Sequence, residues 1–403
     1  MPKAFELQAT DGRARAGLLR TAHGDIETPI FMPVGTAGTV KGVQVRDLEE
    51  EVRAQIILSN TYHLFLRPGI DVVEAAGGIQ EFSRWRKPML TDSGGYQIFS
   101  LSKQRKITEE GATFRSHIDG TKHLFTPESV MDIQRCIGAD VIMAFDECPA
   151  ADVSHAYAKT SMQLTHRWLD RCVASFGESL AIAKQSLKTS STDITGKASA
   201  KTVPGGHSAH GYPQLLFPIC QGVTFPDLRR ESAEYVASKD LPGNAIGGLS
   251  VGEPAGVMYP IVEQVCEILP ADKPRYLMGV GKPENLLECI ERGVDMFDCV
   301  LPSRNARHGN IYSRRGEVNI RRASYANDHS PVDPDGPCAL TRDISKAYLR
   351  HLTVAREALG QQIATIHNLT FYLWLVGEAR RHILAGTFAR WKADIIGDLQ
   401  RKL

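Results

Sequence analysis

Residues 141–147 read Val-Ile-Met-Ala-Phe-Asp-Glu, an apolar run that stops at two carboxylates. Short apolar segments of this kind recur through the first 300 residues, separated by helix-like stretches; they cover residues 29–33, 55–58, 89–91, 141–145, 216–220, 245–247, 275–278 and 296–300. Continuous apolar runs that alternate with helices indicate a parallel sheet buried on both faces. Eight such units favour a (β/α)8 TIM-like barrel, with an open doubly wound sheet as the structural alternative.

The composition is that of an ordinary globular protein, with 42% hydrophobic and 23% charged residues in a chain of 403. No apolar run approaches the roughly 18 residues that a membrane helix needs, and the N-terminal residues contain no apolar signal region. The eight cysteines form no CxxC pair. That spread is typical of reduced thiols, so we expect a cytoplasmic protein without membrane contact.

Two segments interrupt the barrel pattern. Residues 184–212 are rich in Ser, Thr, Lys, Gly and Ala without apolar periodicity, which predicts a flexible surface insert before the fifth strand. After residue 300 an Arg-rich stretch leads to two predicted helices, at about residues 342–359 and 364–385, the first ended by Gly360. We therefore predict a catalytic barrel over residues 1–300 and a basic stretch with a small helical subdomain over residues 301–403.

Charge is distributed unevenly along the chain. The net charge is only +1, but residues 301–403 contain sixteen Lys and Arg against nine Asp and Glu. A basic C-terminal quarter is typical of a surface that contacts phosphates, and equally of a solvated helical surface. Charge alone does not decide between the two.

Polar residues follow the predicted strands. The carboxyl ends of barrel strands meet at one opening, where we expect Asp92, Asp146, Gln221 and Asp298 together with several glycines. A single aspartate at a strand end is often a helix N-cap, but three at one opening suggest a ligand or a reaction. Two carboxylates could cut a glycosidic C1′–N bond as retaining glycosidases cut sugars.

Six segments together resemble the signature motifs of one enzyme family, the bacterial-type tRNA-guanine transglycosylases. The resemblance covers about residues 5–395, and its motifs are TDSGGYQIFSL (91–101), FDEC (145–148), CQGV (220–223), GGLSVGE (247–253), LMGVGKPENL (277–286) and GVDMFDCVLPSRNARHG (293–309). It implies a pentosyltransferase of queuosine biosynthesis, which exchanges guanine 34 at the wobble position of tRNA for the base 7-aminomethyl-7-deazaguanine (preQ1).

The resemblance also implies a role for each motif residue. Asp298 matches the nucleophile that attacks C1′ and forms a covalent tRNA–enzyme intermediate, and Asp92 matches the general acid and base. The residues that match the base pocket are Ser93, Gly94, Gly95, Tyr96, Asp146, Gln221, Gly248, Leu249 and Met278. In that pocket Tyr96 and Met278 stack on the base, and the Leu249 carbonyl accepts from the aminomethyl group.

The resemblance implies partners as well. The segments that match tRNA contacts comprise Gly279, Val280, Gly281, Lys282, Pro283, Glu284 and Asn285, and then Ser303, Arg304, Asn305, Ala306 and Arg307. The tRNAs implied are those for Asp, Asn, His and Tyr, which have GUN anticodons. Val251 and Cys148 match the form of the pocket that takes preQ1. The family acts as a homodimer, and its chemistry needs no cofactor.

One part of the sequence departs from the family, whose structural zinc is held by Cys-x-Cys-x-x-Cys and a distant histidine. The matching positions here are Gly336, Cys338, Thr341 and His367, so only Cys338 and His367 remain as ligands. A closed zinc site needs four donors, so we expect no zinc in this degenerate site. Asp333, Asp335 or Asp343 could substitute, but no spacing rule points to them.

Three other functions are compatible with parts of the pattern. A non-catalytic tRNA-binding paralogue would explain the lost zinc ligands, but it has no need of Asp298, Asp92, Asp146 and Gln221. A related transglycosylase acting on DNA would use the same pocket. A metabolic barrel enzyme with a small phosphorylated substrate fits the strand ends, but leaves the Arg-rich stretch after Asp298 unexplained.

Overall fold

The computed structural model describes residues 3–101, 105–178, 180–182, 201–203 and 205–403. Its strands are β1 (Phe5–Asp11), β2 (Ala14–Thr21), β3 (Gly24–Thr28), β4 (Ile30–Pro33), β5 (Ile57–Asn60), β6 (Met89–Asp92), β7 (Arg105–Ile107), β8 (Ala112–Arg115), β9 (Lys122–Phe125), β10 (Val141–Met143), β11 (Leu180–Ile182), β12 (Lys201–Val203), β13 (Leu215–Phe217), β14 (Ile219–Cys220), β15 (Asn244–Ile246), β16 (Arg275–Leu277), β17 (Met296–Cys299), β18 (Asn310–Ser313) and β19 (Gly316–Asn319).

Helices alternate with the central strands. They are α1 (Val45–Glu50), α2 (Thr61–Leu66), α3 (Ile70–Ala75), α4 (Ile79–Ser83), α5 (Gly95–Leu101), α6 (Pro127–Ile137), α7 (His155–Gly177), α8 (Pro226–Ser238), α9 (Ala255–Ile268), α10 (Pro283–Glu291), α11 (Leu301–Arg307), α12 (Lys346–Ala355), α13 (Ala358–Leu384) and α14 (Phe388–Leu399). No helix in the described residues is long and apolar enough to cross a membrane.

Two parallel sheets form the centre of the molecule. One has the strand order β13-β10-β6-β5 and the other the order β14-β15-β16-β17-β4. Each of the eight predicted apolar segments overlaps a strand, and the fifth overlaps two, because Pro218 lies between β13 and β14. Proline has no N–H to donate to a neighbouring strand, so it interrupts the ladder there. The fold is therefore α/β with parallel sheets, as the alternation predicted.

Both faces of the parallel strands are buried. On one face, apolar side chains from all of these strands pack into a single cluster, among them Ile30, Met32, Leu58, Leu90, Val141, Met143, Phe217, Ile219, Ala245, Tyr276 and Met296. On the other face, residues such as Phe31, Ile142, Ile246 and Leu277 pack in the larger cluster that the helices share. Burial on both faces explains why these strands read as unbroken apolar runs rather than as alternating ones.

The predicted insert ends earlier than its composition indicates. Residues 183–200 and 204 lie outside the described residues, but residues 205–212 pack against the C-terminal end of α6. Ser208 is fully buried, the Ala209 N–H donates to the Arg135 carbonyl at 2.9 Å, and His210 Nε2 bonds to the Cys136 carbonyl at 2.8 Å. For residues 205–212 the prediction of a flexible surface loop is wrong, because small and polar residues also suit tight contacts with a helix end.

The C-terminal helices differ in their limits from the prediction. Helix α12 ends at Ala355, and Arg356 follows it in the left-handed region with φ 61°. Gly360, predicted to end that helix, lies in the first turn of α13, where an added Cβ would lie 2.7 Å from Leu352 Cβ. This glycine thus permits close packing of two helices rather than ending one. The third helix, α14, was not predicted.

Helix α13 joins the C-terminal residues to the parallel strands. The Arg380 guanidinium donates to the carbonyls of Gly17 and Thr28 at 2.9 and 2.7 Å, and the Tyr372 hydroxyl donates to the Gly281 carbonyl. Phe371, Tyr372 and Leu375 of α13 are buried, so this part of the helix belongs to the core. The Tyr372 bond holds the loop after β16 beside the strand ends, and Asn368 of α13 donates to the Pro302 carbonyl of α11 at 3.0 Å.

Candidate active site

A cavity of about 460 Å³ opens at the carboxyl ends of the parallel strands. It is lined by both predicted catalytic residues and by all the predicted base-pocket residues except Gly95, namely Asp92, Asp298, Ser93, Gly94, Tyr96, Asp146, Gln221, Gly248, Leu249 and Met278. Val251 and Cys148 line it too. Residues separated by more than 200 positions meet here because parallel strands all end at the same edge.

Asp298 lies near the end of β17 and has one oxygen fixed. Its Oδ1 accepts hydrogen bonds from the Tyr276 hydroxyl at 2.6 Å and from the Gly279 N–H at 2.9 Å. Burial raises the pKa of Asp298, and these two hydrogen bonds oppose the rise because they stabilise the carboxylate. Among the described residues nothing donates to Oδ2, so this oxygen is available to a substrate in the cavity.

Asp92 ends β6 beside Asn60, its register partner at the end of β5. Its Oδ2 accepts from Asn60 Nδ2 at 2.5 Å and from Gln97 Nε2 at 3.0 Å, and its Oδ1 accepts from the Thr61 N–H at 3.2 Å. Burial raises the pKa of Asp92 to about 7, and the charge of Asp298 acts in the same direction. A carboxyl group with such a pKa can both give and take a proton near neutrality.

Asp146 and Gln221 form a hydrogen-bonded pair in the same cavity. Asp146 Oδ1 accepts from Ser93 Oγ at 2.9 Å and Oδ2 accepts from Gln221 Nε2 at 2.8 Å. Burial raises the pKa of Asp146 to about 6, against the effect of both hydrogen bonds. Gln221 Oε1 is buried with no partner among the described residues. An unpaired amide oxygen next to a carboxylate is suited to the polar edge of a heterocycle.

The loop after β15 presents backbone groups to the cavity. Gly248 has φ 64°, and a Cβ at this position would lie 2.3 Å from Gln221 Oε1, so only glycine fits. The Glu253 carboxylate accepts the N–H groups of Ser250 and Val251. The Leu249 carbonyl and the Ser250 N–H belong to the same trans peptide, in which the two groups point in opposite directions. Because the N–H points at Glu253, the Leu249 carbonyl faces away from it.

The remaining base-pocket residues occupy different positions. Tyr96 is 48% exposed and Met278 is half-buried, so both present surface to the cavity, whereas Ser93 is buried. Gly95 lies outside the cavity, since a Cβ there would lie 2.4 Å from the Asp146 carbonyl oxygen. Gly95 therefore packs closely behind Asp146, with no space for a side chain.

The predicted tRNA-contacting residues divide by exposure. Lys282 and Arg304 are exposed, Gly279 and Arg304 line the cavity, and Arg307 is half-buried with its Nη1 unpartnered. Others are buried and can only support the surface or contact RNA through their backbone; they are Val280, Gly281, Pro283, Asn285, Ser303 and Ala306. Asn305 donates to the Tyr312 hydroxyl at 2.6 Å, and Glu284 is half-buried at the start of α10.

The degenerate zinc positions form a hydrogen-bonded cluster instead of a ligand set. His367 Nε2 lies 2.9 Å from the Tyr312 carbonyl, which can only accept, so Nε2 carries the proton. His367 Nδ1 is then the acceptor for the Thr341 hydroxyl at 2.8 Å. A Cβ on Gly336 would lie 2.7 Å from the Asp333 carboxylate, so position 336 has no space for a ligating side chain in this arrangement. These residues do not fit a tetrahedral zinc.

No described group of three or more His, Cys, Asp or Glu residues is arranged to hold a metal ion. Cys338 is fully buried, and burial raises the pKa of its thiol to about 11.

Several residues of the site, among them Asn60 beside Asp92, were not assigned roles from the sequence. Tyr276 lies within β16 and Gln97 within α5, and each donates to one catalytic carboxylate. Glu253 accepts from the Ser250 N–H and so orients the peptide after Leu249, and buried Arg229 donates to the Gly248 carbonyl at 3.1 Å. Glu253 ends the motif GGLSVGE (247–253), so the sequence could have indicated it. Arg229 lies on a helix with no distinguishing local pattern.

The chain is similar to known proteins over almost its whole length. The family model for queuine tRNA-ribosyltransferase matches residues 10–401. Queuine tRNA-ribosyltransferases from Solidesulfovibrio magneticus and Herpetosiphon aurantiacus are both 48% identical, over 98% of this chain and 97% and 92% of their own length. One from Nitratidesulfovibrio vulgaris is 49% identical over 97% of this chain and 96% of its own. The chain therefore belongs to the queuine tRNA-ribosyltransferase family, the tRNA-guanine transglycosylases, which are pentosyltransferases.

Proposed function

We propose that this protein exchanges guanine 34 for preQ1 in tRNAs with GUN anticodons, through a covalent bond between Asp298 and ribose. The observation that carries the proposal is the state of Asp298, with Oδ1 held by Tyr276 and Gly279 and Oδ2 free of described donors. Fixing one carboxylate oxygen orients the other for attack.

The reaction consists of two displacements at one carbon. In the first, Asp298 Oδ2 bonds to C1′ of nucleotide 34 while the C1′–N9 bond breaks and Asp92 gives a proton to the departing guanine. In the second, N9 of preQ1 bonds to C1′, its proton goes to Asp92, and the C1′–O bond breaks to restore the Asp298 carboxylate. The target nucleotide must leave its stack to reach this cavity.

The pocket supports recognition of a guanine-like edge. Asp146, Gln221 and the Gly248 N–H would hold the polar edge of the base, with Tyr96 and Met278 on its faces. The Leu249 carbonyl, turned away from Glu253, would accept from the aminomethyl group of preQ1. Val251 and Cys148 in the cavity lining favour preQ1 over a larger deazaguanine.

The tRNA would lie across the opening on the basic C-terminal residues. Lys282 and Arg304, both exposed, would supply phosphate contacts, and Arg304 also lines the cavity. The proposal includes the tRNAs for Asp, Asn, His and Tyr, a homodimer as in the family, and a cytoplasmic location, since tRNA is the substrate. It also includes a C-terminal subdomain without zinc, which is supported by the hydrogen bond between Thr341 and His367, since this bond uses a ring nitrogen that a metal would need.

We infer further that the two parallel sheets close into one (β/α)8 barrel over residues 1–300. Val34, after β4, pairs in parallel with Leu58 of β5, and the Gly35 N–H donates to the Leu58 carbonyl at 2.6 Å. On the other side only Pro218 separates β13 from β14. The shared apolar cluster would then be the barrel interior.

The test is incorporation of radiolabelled guanine into unmodified tRNA with a GUN anticodon, with a DNA duplex as parallel acceptor. Wild-type protein should label the tRNA alone, and a denaturing gel should retain a protein–tRNA adduct. Asp298→Asn should reduce incorporation at least 1,000-fold, on the order of effects seen for a lost nucleophile, and abolish the adduct. Folded wild-type protein that binds tRNA without incorporation would favour a non-catalytic paralogue, and labelled DNA would favour the DNA-acting enzyme.

A further inference from the structure

Arg229 is a fully buried guanidinium on α8, directly behind the base pocket. Its Nε donates to the Val223 carbonyl at 2.7 Å, Nη1 to the Cys220 carbonyl at 3.0 Å and Nη2 to the Gly248 carbonyl at 3.1 Å. Burying a charge is costly unless it is satisfied by hydrogen bonds. All three carbonyls that satisfy this buried guanidinium are backbone groups of the loops around the pocket, which suggests that Arg229 does more than fill space.

The three carbonyls belong to two loops that follow neighbouring strands. Cys220 and Val223 flank the Gln221 loop after β14, and Gly248 lies in the loop after β15. Val223 has φ 53°, in the left-handed region that β-branched residues avoid. A backbone held in that region needs tertiary contacts to keep it there, and Arg229 supplies one at the Val223 carbonyl.

The Gln221 and Gly248 loops are closely packed against each other. A Cβ on Gly248 would lie 2.3 Å from Gln221 Oε1 and 3.4 Å from Arg229 Nη2. Gln221 is also fixed on its other side, by its bond to Asp146. A small shift of either loop would therefore change the spacing between the Gln221 amide and the Gly248 N–H, the two groups assigned to the base edge.

We propose that Arg229 is a positioning residue for the base, which holds the Gln221 and Gly248 loops at the spacing that the free base requires. It contacts neither base nor tRNA, and acts through the three carbonyls. The proposal rests on the assignment of Gln221 and Gly248 to the base pocket. It predicts that loss of the guanidinium weakens binding of the base and leaves binding of tRNA unchanged.

The experiment compares Arg229→Met, Arg229→Lys and wild type, with Arg230→Met as control because Arg230 is the next residue and exposed. Guanine affinity is measured by calorimetry, and KM for guanine and for tRNA by exchange. Arg229→Met should raise both the Kd and the KM for guanine at least tenfold, while the KM for tRNA stays within twofold. Arg229→Lys should show a smaller rise, since one ammonium cannot span three carbonyls in this fork. Arg230→Met should match wild type.

Unchanged guanine affinity in folded Arg229→Met would overturn the proposal, as would an equal rise in both KM values, which indicates general loosening. If Arg229→Met does not fold, Arg229→Lys decides by the same split between guanine and tRNA. Wild-type protein that binds guanine without incorporating it would contradict the proposed reaction, while the affinity comparison would still decide the role of Arg229.

Discussion

At the scale of single residues, Asp92 controls the proton in the proposed reaction. Departure of guanine needs Asp92 in its protonated form, and burial raises the pKa of this carboxyl to about 7. The protonated fraction falls as pH rises through 7. Adduct formation in the absence of free base should therefore slow about tenfold per pH unit above that value.

This prediction is measured by rapid quench and denaturing gels, with enzyme in excess over tRNA. Asp92→Asn should form the adduct about 100- to 10,000-fold more slowly, and the fall with pH should disappear, because the amide has no proton to lose in this range. A wild-type rate that is constant from pH 6 to 9 would remove Asp92 from the role of acid.

The acidic residues were found from the sequence because each follows an apolar run, and the runs mark the strand ends. The residues that donate hydrogen bonds to these carboxylates were not found from the sequence. Tyr276 lies inside a strand and looks like any core aromatic, and its bond to Asp298 exists only because β16 and β17 pair in parallel. Gln97 lies in the first turn of α5 and donates back to Asp92 at the end of β6, a contact that no local pattern identifies.

At the scale of elements, two glycines of α13 should respond oppositely to the same substitution. A Cβ on Gly360 would lie 2.7 Å from Leu352 Cβ and 3.1 Å from its backbone carbon, so Gly360→Ala should push α12 away and destabilise the protein by about 1–3 kcal/mol. Gly377 has nothing within 4 Å of its Cβ position. There Gly377→Ala should stabilise by up to ~1 kcal/mol, through helix propensity alone.

Urea unfolding of both variants and wild type measures these free energies. Equal effects of the two substitutions would show that α12 and α13 are not packed as closely as the structure has them. The two glycines look alike in the sequence, since both lie among good helix formers. The packing of Gly360 against Leu352 of another helix is not apparent from the sequence. Gly360 was therefore predicted to end a helix, as glycines often do.

At the scale of the whole molecule, the alternation of parallel strands and helices could be predicted, because strands buried on both faces are continuous apolar runs in the sequence. The junction between the sheets could not, since it depends on single contacts such as Val34 with Leu58. The charge excess after residue 300 indicated a basic surface but not which residues are exposed. Of the residues predicted to contact tRNA, Val280 and Ala306 are buried, and their positions follow from helix packing.

The C-terminal subdomain should be stable without zinc. Protein purified from zinc-supplemented medium should contain far less than one zinc per chain, and a chelator should leave the unfolding temperature unchanged, because His367 has both nitrogens in hydrogen bonds. Thr341→Val removes the donor to buried Nδ1 and should cost about 1–3 kcal/mol. Thr353→Val, on the partly buried face of α12, serves as the matched control and should cost less. Stoichiometric zinc lost together with stability on chelation would show that the cluster opens to bind metal after all.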